Sequence, residues 1–179
     1  EATKTAVKTA RDAGAVLSFD PNLREPLWKS LDEAAEQIRF GFSNCDILKI
    51  SDNEILWITG ETDYDRAVDI LRKEYDIPLI LLSLGKTGSR AYMKDRRVEV
   101  PAFVQEKTIE TTGAGDTFCA GILHHVLEFG WHDYSEDELR TMLTFANAAA
   151  SIITTRKGAL YVMPEPDEIE LLVKERSVL

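Results

Sequence analysis

The chain has 179 residues, 44% of them hydrophobic and 29% charged, a balance that argues against a disordered chain and suits one domain with a substantial core. Its net charge is -10, and no lysine- and arginine-rich block offsets it, so no nucleic-acid partner is expected. No apolar run reaches membrane-spanning length and no signal peptide is visible, so no membrane partner and a cytoplasmic location are expected.

The first residue is Glu1 rather than Met, which reads as a chain that begins inside something longer or has been processed. Residues 2–13 read as a helix stopped by Gly14. Residues 15–20 are a short apolar run ended by Pro21 and Asn22, which predicts a buried strand with a loop at its carboxyl end. Helical spacing follows at 31–40, then a second strand at 46–50, a short helix at 53–59 closed by Gly60, and a helix at 64–75. After Pro78, residues 79–84 form a third strand, apolar throughout as a strand covered on both faces should be. A turn at 85–88 leads into a hairpin, 89–93 and 96–100, around Lys94 and Asp95. Long helices at 115–129 and 136–155 are joined by a polar loop, and a terminal helix covers 168–176.

Alternating strands and helices predict an α/β fold, a mostly parallel sheet between helix layers, in a single domain over residues 1–179. Polar residues follow the three strands at 20–24, 51–54 and 85–88, and ligands of such folds sit outside the carboxyl ends of the strands.

The densest chemical signal is at 110–121, Glu-Thr-Thr-Gly-Ala-Gly-Asp-Thr-Phe-Cys-Ala-Gly. A Gly-Ala-Gly turn opens a long helix there, and free N–H groups at a helix start suit an anion such as a transferring phosphoryl group. Asp116, in that first turn, could accept the proton of an attacking hydroxyl. It could equally serve only the helix dipole, and spacing alone leaves the two readings even.

At 20–24, Asp-Pro-Asn-Leu-Arg presents Asn22 and Arg24 from a rigid turn. Arg suits phosphate, yet taken alone the segment is an ordinary turn with a surface Arg. Ser51 and Glu54 have the spacing of a capping box. Ser83-Leu84-Gly85-Lys86-Thr87-Gly88 is not a P-loop, because Ile80 stands where the earlier glycine is required. As a tight turn it would need its glycines in any case. Asn147 lies among alanines on a helix, where it either lines a flat-ring pocket or faces solvent. Cys45 and Cys119 form no spaced pair and read as buried reduced thiols, and His124, His125 and His132 read as structural or surface residues.

Residues 110–121 closely resemble the second signature of the PfkB (ribokinase-like) carbohydrate kinase family, D-T-x-G-A-G-D followed by small residues. The resemblance implies that Gly113, Ala114 and Gly115 form an anion hole and that Asp116 is the catalytic base. Glu110 replaces the usual Asp at a position that helps hold a monovalent cation in many members, so potassium dependence is left open. Residues 20–28 resemble the D-P-N-x-R and L-W segment of fructokinases and related sugar-acid kinases, which implies a place for Arg24 near the transferred phosphate. Ser51 and Glu54 match the family's N-x-x-E motif with Ser for Asn, which implies that Glu54 organises Mg²⁺ through water. Ser83, Gly85 and Gly88 resemble the turn beside the nucleotide phosphates. Asn147 falls on the family's adenine-side helix, and Lys157-Gly158-Ala159 follows as its K/R-G-A loop.

The implied fold is a ribokinase-like three-layer αβα with a mostly parallel sheet, lacking the N-terminal part and the β lid. The implied activity is ATP-dependent phosphorylation of a sugar hydroxyl, fructose first, with ATP and Mg²⁺ as cofactors. A 2-keto-3-deoxy sugar acid or a nucleoside is the alternative acceptor, and a non-catalytic nucleotide-binding fragment the alternative of another class. A Rossmann dehydrogenase is opposed by the absence of G-x-G-x-x-G after the first strand. The full-length protein is expected to dimerise through the lid, and this chain alone to be weakly active or inactive.

Overall fold

In the computed structural model, which describes residues 1–176, the helices are α1 (Ala2–Asp12), α2 (Leu31–Phe42), α3 (Asp52–Thr59), α4 (Tyr64–Tyr75), α5 (Ala114–Phe129), α6 (Glu136–Ile153) and α7 (Pro166–Arg176). The strands are β1 (Ser18–Phe19), β2 (Ile47–Ser51), β3 (Leu79–Ser83), β4 (Gly88–Met93) and β5 (Arg96–Pro101). Residues 177–179 of the expected domain lie outside the described ones. Strands pair in chain order, β1-β2-β3-β4-β5. The first pair is parallel, with Ser18 beside Ile47 and Phe19 beside Leu48, as a helical crossover requires. Strands β4 and β5 form the expected hairpin, its two-residue turn made possible by Lys94 at φ 52°.

By packing, the described residues divide into two compact units, one of residues 1–82 with 92–95 and one of residues 83–91 with 96–176. In the first, Ile47, Leu48, Ile50 and the Leu79-Ile80-Leu81-Leu82 run are buried, as the continuous apolar sequence of these strands demands. Helix α2 adds Ala34, Ala35, Ile38 and Phe42, and α4 adds Ala67, Val68 and Leu71, both following the helical period. Phe42 meets Phe19 and Tyr75 edge to face, with ring centroids 6.0 and 5.4 Å apart. Each buried side chain of this size stabilises the fold by about 1.5–3 kcal/mol relative to exposure.

One expected element shrinks. The apolar run 15–20 keeps only Ser18 and Phe19 in strand pairing, and neither is fully buried. Among the described residues β1 ends the strand order and has a partner on one side only, so less of it is held. Beyond it, Leu17 N–H donates to the Asp46 carboxylate at 2.7 Å in place of a ladder bond.

The second unit is built on α5 and α6. Phe118 and Ile122 of the first and Leu139, Met142, Leu143, Ala146 and Ile153 of the second are buried. His125 is also buried, its Nδ1 paired with the Gly121 carbonyl at 3.2 Å and its ring set against Phe145, while His124 and His132 are exposed. Cys45, in the first unit, is buried, and burial with Asp46 pushes its thiol up to about 12. Cys119 is only half-buried, which corrects the expectation of two buried thiols: it lies on a helix face that packing does not fully cover. Among the described residues no helix is long and apolar enough to cross a membrane.

Candidate active site

In the first unit, the loop after β1 is tied to the end of β2. Ser51 caps α3 and Glu54 answers it, so the capping box is complete: Ser51 Oγ accepts from Glu54 N–H at 3.4 Å, and Glu54 Oε2 accepts from Ser51 N–H at 2.9 Å. The Ser51 hydroxyl also donates to that oxygen at 2.7 Å. The other oxygen, Oε1, accepts from Leu23 N–H at 2.7 Å, next to Arg24. Burial pushes the Glu54 carboxyl up, but the Ser51 and Leu23 bonds outweigh it and hold the group below its ordinary range, as a carboxylate. Asp20 accepts from Asn22 N–H at 3.2 Å and pairs with the buried Lys49, Nζ to Oδ2 3.0 Å. Burial raises the Asp20 carboxyl above its ordinary value, which Lys49 partly offsets.

In the second unit, the expected nucleotide-side residues converge. Ser83, Gly85 and Gly88 share one cavity of about 310 Å³ with Ala114, Gly115 and Asn147. Gly88 has φ +127°, and a Cβ there would stand 2.1 Å from the Val100 carbonyl oxygen, so only glycine permits this approach of the turn to β5. Gly113 begins α5 at φ 80°, a left-handed conformation, and no side chain caps that helix. Thr117, in the same first turn, has a buried hydroxyl with no hydrogen-bond partner among the described residues. Asp116 is exposed in that turn.

Asn147 lines the cavity, but its amide is already engaged. Its Oδ1 accepts from Ser89 Oγ at 2.9 Å, and its Nδ2 donates to the Val100 and Pro101 carbonyls, each at 3.2 Å. It is 7% exposed, so the solvent-facing alternative is overturned: the end of the hairpin covers this face of α6. Glu110 accepts from Gly158 N–H at 3.4 Å, and its carboxyl is held low by Thr112 first and then by Gly158 and Lys157. Among the described residues no cluster of His, Cys, Asp and Glu could by itself hold a metal ion.

Sequence reading passed over Lys86, which lines the cavity, and Lys49, a lone charge inside an apolar strand and the one signal that pointed to it. It also missed Gln105 and Ser151, bonded to each other at 3.0 Å on the cavity wall.

The sequence pattern of the pfkB family carbohydrate kinases matches residues 1–166. The chain belongs to that family. This pfkB-family chain is 40% identical over 159 residues to "Probable fructokinase-2" of Arabidopsis thaliana, an alignment covering 89% of the chain and 48% of that protein. A fructokinase double mutant from Vibrio cholerae O395, solved in fructose, ADP and potassium ion bound form, superposes with a TM-score of 0.86 at 26% identity, over 96% of this chain and 54% of that one. Aminoimidazole riboside kinase from Salmonella enterica, complexed with aminoimidazole riboside and an ATP analogue, superposes with a TM-score of 0.83 at 28% identity, over 97% and 57%. The fold is thus the ribokinase-like α/β fold, and the chain spans about half the length of the curated relatives it matches.

Proposed function

We propose that the protein carrying this chain transfers the γ-phosphoryl group of ATP to a sugar hydroxyl, with fructose as the acceptor. The observation that carries this reading is the uncapped start of α5, opening on a cavity that the glycine turn at 85–88 also lines. N–H groups of Gly115 and Asp116 face the developing phosphoryl charge, with Gly113 and Ala114 shaping the backbone around it. Asp116 takes the proton of the attacking hydroxyl. Ser83, Gly85, Gly88 and Lys86 flank the nucleotide phosphates, and Asn147 stiffens the wall on which the base rests. Arg24 assists at the transferred phosphate as a permanent, planar cation.

The Glu54 carboxylate fits an outer-sphere role toward Mg²⁺, since it is ionised and Oε1 keeps acceptor capacity beside its one N–H partner. The ion, when bound, would supply positive charge against the phosphates. The engagement of Glu110 gives no support to a potassium contact at that residue.

Fructose as acceptor is supported by the names of the relatives, and the riboside kinase neighbour keeps a nucleoside acceptor as the second reading. Intact Asp116 and 113–115 speak against a non-catalytic fragment. Residues 1–179 are read as one catalytic part of a cytoplasmic enzyme that dimerises through a β lid outside this chain, and the chain alone is expected to turn over weakly or not at all. The test is ADP release from MgATP by the full-length protein against a panel of sugars and nucleosides. Fructose-dependent release supports the proposal, nucleoside-dependent release selects the second reading, and no release with any acceptor sinks both.

A further inference from the structure

Lys49 is 5% exposed and sits in β2 between Leu48 and Ile50, both fully buried. An apolar residue would satisfy this position in a covered strand at lower desolvation cost than an ammonium group. What Lys49 holds is instead a loop. Its Nζ stands 3.0 Å from Asp20 Oδ2, and Asp20 Oδ1 accepts Asn22 N–H at 3.2 Å. Asn22 is left-handed at φ 43°, a conformation that needs support in a residue other than glycine. On the far side of Asn22, Leu23 N–H is fixed by Glu54. Arg24 follows and is exposed, and the hydrogen bonds of its guanidinium stay inside the turn, to Leu23 O at 3.2 Å and Asn22 O at 3.5 Å. The place of Arg24 is therefore inherited from the backbone of residues 20–23, and that backbone is clamped on one side by Lys49 and on the other by Glu54.

We propose that Lys49 is a positioning residue for phosphoryl transfer, acting through Asp20 and the turn at 20–24 to set where Arg24 stands. The inference rests on the role of Arg24 given above. Lys49 is buried and paired with Asp20, so its loss should appear in turnover rather than in binding.

The test is a kinetic cycle in the full-length protein with Lys49→Met, Arg24→Ala, the pair Lys49→Met with Arg24→Ala and the pair Asp20→Asn with Lys49→Met. A clamp that slips by about 1 Å is expected to lower kcat about 10- to 100-fold. The KM values for MgATP and sugar should stay within about 3-fold. In the Arg24→Ala background, adding Lys49→Met should cost less than about 2-fold, because the group it positions is already gone. Removing one member of a buried pair can unfold a protein, so the second arm is Asp20→Asn together with Lys49→Met, which leaves neither charge unpaired. It keeps the acceptor for Asn22 N–H while removing the ion pair, and should reproduce the kcat loss with a folded circular dichroism spectrum. Wild-type kcat in Asp20→Asn with Lys49→Met, or an undiminished Lys49→Met loss on top of Arg24→Ala, would overturn this inference and leave the kinase reading standing. An Arg24→Ala variant with unchanged kcat would overturn the inference and the role of Arg24 together.

Discussion

Helix α3 begins with its own residues answering its free N–H groups, Ser51 and Glu54 closing on each other, whereas α5 begins on left-handed Gly113 with no side chain in the capping place. Every helix start poses the same problem of unsatisfied N–H groups. Where the protein solves it internally, the helix start becomes a rigid mount, and the spare acceptor capacity of Glu54 reaches out to hold the loop at Leu23. Where it is left unsolved beside a cavity, the donors stay available to an anion. The mount lies in one compact unit and the open start in the other.

The sharpest way to break this contrast is at the open start. Asp116→Asn in the full-length protein should lower kcat by about 10²- to 10⁴-fold, the usual worth of a general base. Its melting temperature should hardly move, since Asp116 is exposed. Unchanged turnover would reduce the start of α5 to an ordinary glycine turn. Next in size is Gly88→Ala on the cavity wall. The residue would be strained at φ +127° with its Cβ against the Val100 carbonyl, and a loss of about 3 kcal/mol is expected in urea denaturation.

A matched pair of cap removals sharpens the other half. Helices α3 and α6 both carry full capping boxes, Ser51 with Glu54 and Ser135 with Glu138. Ser51→Ala and Ser135→Ala should each cost about 1 kcal/mol in stability. Only Ser51→Ala should also lower kcat, because it frees the carboxylate that fixes Leu23. Equal turnover in the two variants would mean that the α3 box is a helix cap and nothing more.

The smallest effect is in pH dependence. The folded Glu54 carboxyl lies below its ordinary 4.5, so it contributes stability above that pH and loses it as pH falls through the lower folded value. Urea denaturation followed downward from about pH 7 should therefore show a shallower acid limb in Glu54→Gln than in the wild type. Glu138, held at about 2 by Ser135 and then His132, titrates in the same direction, so part of the limb should remain. Identical limbs would show that the bonds to Ser51 and Leu23 do not bias that carboxyl.

What the sequence made legible was local. Helix α4 falls at the predicted 64–75, the 79–83 run is a buried strand, and the hairpin turns at Lys94. The Ser51 and Glu54 box could be read from a three-residue spacing, because caps and periodicity act within about one helical turn. The cavity-lining residues at 83–88 and 114–115 were legible for a related reason: each set lies in a short glycine-marked segment.

What tertiary structure decided lies at long sequence separation. Asn147 was an open choice in the sequence and became a buried tie to Ser89, 58 residues away, and to the end of β5. The strand expected at 15–20 shrank to two residues because the strand order of the described residues leaves it one neighbour. The lone lysine of β2 found its partner in Asp20 only once β1 and β2 were set in parallel register. Local pattern names the groups that need a partner, whereas register and topology choose the partner, because a buried charge or amide is satisfied only by what the fold brings within hydrogen-bonding distance.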